Sequence, residues 1–102
     1  MTKVVYRITW PNGKIYVGMD LTGSIGYFGS VDHDLVAADF TPDERKDMMI
    51  RREILWASES ATDQEVRAKE IQLIRACQSN DPSIGYNRFP KYRPSDKPAD
   101  TN

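Results

Sequence analysis

The chain has 102 residues, a net charge of −1, and 39% hydrophobic and 28% charged residues, which suits one small domain with a modest core and not a disordered chain. No apolar run approaches the ~20 residues of a membrane span, the start carries no signal-peptide h-region, and a cytoplasmic location is expected. The lone Cys77 excludes an internal disulfide, and no Cys/His cluster has zinc spacing.

Residues 3–10 alternate and are rich in β-branched and aromatic types, so they read as a strand. Pro11-Asn12-Gly13 then suits a three-residue hairpin loop with a bulge, Gly13 taking the left-handed conformation, and residues 14–18 return as a second strand. This loop fixes a register: Trp10 opposite Lys14, Ile8 opposite Tyr16, Tyr6 opposite Gly18. Tyr6 and Tyr16 then share one sheet face as diagonal neighbours. A two-residue Asn12-Gly13 loop would place them on opposite faces.

Residues 20–30 read as a Gly/Ser-rich loop and 32–40 as a short helix. Thr41-Pro42-Asp43-Glu44 opens a second helix, and residues 50–56 suggest a third strand. Thr62-Asp63-Gln64-Glu65 is a capping box opening the longest helix, to about Cys77. Residues 80–84 read as a turn. The reading gives residues 1–89 as one domain and 90–102 as a disordered tail, with an α+β fold.

Charge is uneven along the chain. Acids gather between Asp32 and Asp47, while Arg88, Lys91 and Arg93 cluster near the end. Nucleic-acid affinity comes mostly from neutralised phosphates, so a DNA partner would be bound weakly.

Glu70 is the sharpest chemical signal. It lies on the helical stripe of Val66, Leu73, Ile74 and Cys77, and a carboxylate facing a core is costly unless paired or bound to a cation. Tyr6 and Tyr16 are common strand residues, and a phenol acts as a base at neutral pH only beside a divalent ion or an arginine. His33, between Asp32 and Asp34, reads as a solvated residue or helix start. Asn87 reads as a turn residue, and of the consecutive Arg51 and Arg52 one faces each side of the sheet.

Val4-Val5-Tyr6, Asn12-Gly13-Lys14-Ile15-Tyr16-Val17-Gly18, Glu70 with Ile74 four later, and Gly85-Tyr86-Asn87 together resemble the GIY-YIG endonuclease family, in order over residues 4–87. Tyr27-Phe28-Gly29-Ser30 resembles a stretch of its phage and mobile-element members. The resemblance implies a three-stranded antiparallel sheet flanked by helices and a divalent-metal-dependent DNA endonuclease. It implies one Mg²⁺ (or Mn²⁺) held by Glu70, a water activated by Tyr6 or Tyr16, and Asn87 bracing the hairpin, with Gly18 completing the second motif. Val4 replaces the first glycine of the family name. Gly26 stands where many members carry an arginine, so Arg7, Arg51, Arg52 or Arg88 would have to supply that charge, and transfer of a helix histidine to His33 is loose. The chain is too short for a second DNA-reading domain, so a separate partner would confer specificity. The alternatives are a catalytically weak or silent domain of the same fold that binds nucleic acid or protein, and an unrelated α+β interaction module.

Overall fold

The computed structural model describes residues 2–23 and 31–94. The stretch resembling Tyr-x-Gly-Ser, the position of Gly26 and the last eight residues lie outside them. Strands β1 (Lys3–Thr9) and β2 (Ile15–Asp20) precede helices α1 (His33–Ala38) and α2 (Pro42–Lys46), strand β3 (Arg51–Ser58) and helix α3 (Asp63–Cys77). The fold is α+β, and its antiparallel sheet has the order β2-β1-β3.

The hairpin has the longer of the two loops. Gly13 takes φ +84°, its N–H donates to Trp10 O at 2.9 Å, and Trp10 N–H donates to Lys14 O at 3.0 Å. Asn12 Oδ1 accepts from Lys14 N–H at 3.0 Å, an Asx contact that closes the turn. The register therefore pairs Tyr6 with Gly18 and Ile8 with Tyr16.

Alternation along β1 divides the core between the two faces of the sheet. Val4, Tyr6 and Ile8 pack with Trp10, Val36, Phe40 and Tyr86. Val5 and Val17 pack on the other face against Val66 and Ile74 of α3. The starts of α2 and α3 are set by reciprocal capping: Thr41 with Glu44, and Thr62 with Glu65. Those backbone N–H groups hold the Glu44 and Glu65 carboxyls below their usual range. Helix α3 ends with Gln78 at φ 56° and Ser79 N–H donating back to Ile74 O at 3.1 Å, a Schellman-type closure.

The chain then returns beside β2. Ile15 N–H donates to Ile84 O and Tyr86 N–H to Ile15 O, a short parallel bridge along an otherwise open sheet edge. Packing also continues past residue 89, where a tail was expected. Pro90 is buried, and its carbonyl accepts from Asn80 Nδ2 at 2.7 Å.

Candidate active site

Tyr6, Tyr16, Glu70 and Asn87 line one cavity of about 420 Å³. Tyr6 and Tyr16 come from the hairpin, with Gly18 between them. A Cβ on Gly18 would lie 2.5 Å from the Tyr6 hydroxyl oxygen and 3.0 Å from Cε2 of Tyr16. Both phenol rings thus converge on a spot that only a glycine leaves open. Tyr6 is fully buried and its hydroxyl has no contact with solvent, whereas Tyr16 is half-buried.

Glu70 arrives from the other direction. Helix α3 packs on the face opposite Tyr6, so its carboxylate enters the phenols' cavity at the β2 edge, beside the Met19 backbone, and not across the middle of the sheet. The chain achieves this because β2 is an outer strand whose odd-numbered backbone groups point away from β1. Burial pushes the Glu70 carboxyl up from its ordinary value, while Arg67 and the backbone amide of Met19 pull it back down. The result is a carboxylate held in a cavity at some desolvation cost, the state that a bound cation relieves.

Asn87 braces the same edge. Its Oδ1 accepts from Val17 N–H and its Nδ2 donates to Val17 O, both at 2.8 Å. One side-chain amide therefore replaces a strand partner, two residues beyond the Ile15 bridge. Gly85 makes that approach feasible: a Cβ there would lie 2.5 Å from both Ile15 O and Ser79 O.

The remaining candidates divide. Arg88 lines the cavity and pairs with Asp32 at 3.0 Å. The Arg52 guanidinium lies 4.7 Å over the Tyr6 ring and 4.0 Å from Asp20, so it fixes the buried phenol from the neighbouring strand. Arg51 instead pairs with Glu53, as does Arg7 at 2.7 Å. His33 lines a separate apolar cavity with Trp10 and Phe40. Neither Arg51, Arg7 nor His33 borders the cavity of the phenols.

Arg67 was missed by sequence reasoning. It lines the cavity with Glu70, one helical turn earlier on the same face. Its signal in the sequence was that i, i+3 spacing, hidden because an exposed helix arginine reads as an ordinary solvated charge.

Mg²⁺ keeps several waters and needs only one or two protein carboxylates beside substrate phosphate. The described residues hold no cluster of three or more His, Cys, Asp or Glu. The half-buried Glu70, with room beside it, fits such a sparsely liganded ion. No family model, curated protein or solved structure matches the chain.

Proposed function

We propose that this chain is a divalent-metal-dependent endonuclease that hydrolyses DNA phosphodiester bonds at the Tyr6–Tyr16–Glu70 cavity. The observation that carries the reading is the convergence of two hairpin phenols and one helix carboxylate, remote in sequence, on one wall-to-wall cavity. Glu70 would hold Mg²⁺ or Mn²⁺. When bound, the ion supplies Lewis-acid polarisation of the phosphate and lowers the pKa of neighbouring hydroxyls.

The chain's own residues divide the remaining work. Tyr16, with its partial exposure, would orient the attacking water and, in its phenolate form, its own proton having gone to solvent, take a proton from that water. Tyr6, sealed behind Gly18 and beneath Arg52, sets the position of that phenol. Arg67 and Arg88 border the space that the scissile phosphate would fill, where guanidinium groups match phosphate oxygens. Asn87 keeps β2, and with it Tyr16, in register with α3.

Nicking of supercoiled plasmid in Mg²⁺ or Mn²⁺ tests this reading. The wild type should convert supercoiled to open-circular DNA, and Glu70→Gln should not. Cleavage that survives Glu70→Gln contradicts the assignment. A wild type inert in both metals would instead favour a silent domain of this architecture.

A further inference from the structure

Residues 88–92, Arg-Phe-Pro-Lys-Tyr, interleave two cations with two aromatic rings around an anchored proline. The anchor is the 2.7 Å bond from buried Asn80 to the Pro90 carbonyl. Phe89, 66% exposed, lines the cavity of Tyr16 and Glu70. Lys91 and Tyr92 line a neighbouring cavity of about 540 Å³. Tyr86, Asn87 and Arg88 belong to the walls of both, so the two cavities adjoin along this groove-forming segment.

Lys14, Arg88 and Lys91 border the second cavity against one carboxylate, Asp39, which pairs with Lys14 at 3.1 Å and accepts from the Tyr86 hydroxyl at 2.8 Å; Arg88 pairs with Asp32 of the first cavity, and Lys91 completes the basic wall. Cations interleaved with one exposed ring, Phe89, and one half-buried ring, Tyr92, suit a backbone of phosphates carrying flat bases. A cavity of this size has room for about one or two nucleotides.

We propose that the second cavity binds a single-stranded DNA flank continuing from the scissile phosphate, with Lys91 on a phosphate and Tyr92 stacked on a base. This rests on the reading that the first cavity cuts DNA, and it names the form of strand that site receives. A duplex would have to be frayed or branched beside the cut.

The test is fluorescence anisotropy of labelled oligo(dT) with the Glu70→Gln protein, which separates binding from cleavage, across a salt series. Adding Lys91→Ala should weaken binding and flatten the slope of log K against log salt by about 0.7, the contribution of one single-strand phosphate. Adding Tyr92→Ala should weaken binding roughly tenfold with the slope unchanged, as loss of stacking requires. Lys46→Ala, on the remote helix α2, should change neither. The inference is overturned if both groove variants bind within twofold of their parent, or if a blunt duplex binds as tightly as the single strand and loses affinity in the same way. A wild type that nicks no plasmid while these groove effects appear would sink the endonuclease reading and leave the groove standing.

Discussion

Tyr6 and Tyr16 are the same residue type on the same strand pair, yet Tyr6 is fully buried and Tyr16 half-buried. Under the proposed endonuclease reading the base must touch the water it deprotonates, which selects the more accessible Tyr16. Tyr16→Phe should therefore lower the nicking rate about 100-fold or more, the usual yield of general base catalysis, with little change in melting temperature. Arg67→Ala should likewise lower kcat about 100-fold with KM nearly constant, because a cation aimed at developing charge acts mostly in the transition state. Arg67 is exposed, so that variant should fold normally, as circular dichroism would show. Equal kinetics for Arg67→Ala and wild type would remove Arg67 from the mechanism.

Glu70 also makes a prediction about stability. Its carboxyl is raised from the ordinary 4.5 by burial, so the folded state holds this proton more tightly than the unfolded chain. The stability that follows is fully present below the unfolded value and is lost as pH rises through the folded value. Glu70→Gln should then melt above wild type at pH 7 in the absence of divalent ions, and the difference should vanish in acid below 4.5. Thermal melts at the two pH values check it, and an unchanged or lower melting temperature at pH 7 would contradict the burial argument.

At the scale of elements, the site is a property of the β2 edge. Asn87 supplies both hydrogen bonds that a further strand would give Val17. Asn87→Ala leaves a buried N–H and C=O without that partner, which should cost about 2 kcal/mol and lower the melting temperature of a domain this size by roughly 10 °C. Gly18→Ala should cost a further distinct penalty of about 1–3 kcal/mol, because the added Cβ would lie 2.5 Å from the hydroxyl oxygen of the fully buried Tyr6. Combined with Tyr6→Phe, which removes the nearest clashing atom, the Gly18→Ala penalty should shrink. Strict additivity of the two changes in chemical denaturation would contradict the proposed apposition.

Much of this element-level arrangement was legible. Pro-Asn-Gly chose the longer hairpin loop, and that loop alone set the phenols on one face. The Thr62–Glu65 box placed the start of α3, and the apolar stripe on which Glu70 intrudes marked it before any geometry was known. Less legible was what depends on side chains meeting across elements. Nothing local tells Arg52, stacked over Tyr6, from Arg51, paired with Glu53. Pro, Lys and Asp after Asn87 resemble a tail in composition, yet Asn80, ten residues earlier, ties Pro90 down. The role of Asn87 came from the family resemblance, since a lone Asn before a Pro-containing stretch reads locally as a turn.

Across the whole molecule, the sheet separates two small cores, and the proposed chemistry lies where they meet at an outer strand. A flanking helix on one face and paired phenols on the other would ordinarily be kept apart by the sheet between them. Beyond Ile15 and Val17, which the returning chain covers, the backbone amide of Met19 on the β2 edge is where the Glu70 carboxylate comes in. The overall charge of −1 gives no general attraction to DNA, so the proposed binding would depend on the cations that line the two cavities, Lys14, Arg67, Arg88 and Lys91, and should weaken with salt.

The most direct measurement is paramagnetic broadening by Mn²⁺ in ¹H–¹⁵N and aromatic NMR spectra, which locates an ion without requiring turnover. The account predicts that substoichiometric Mn²⁺ broadens Met19, Glu70, Ile71 and the Tyr16 ring first, and that Glu70→Gln abolishes the effect. Broadening centred on the acidic stretch of α1 and α2, or broadening at Met19 and Tyr16 that persists in Glu70→Gln, would contradict it.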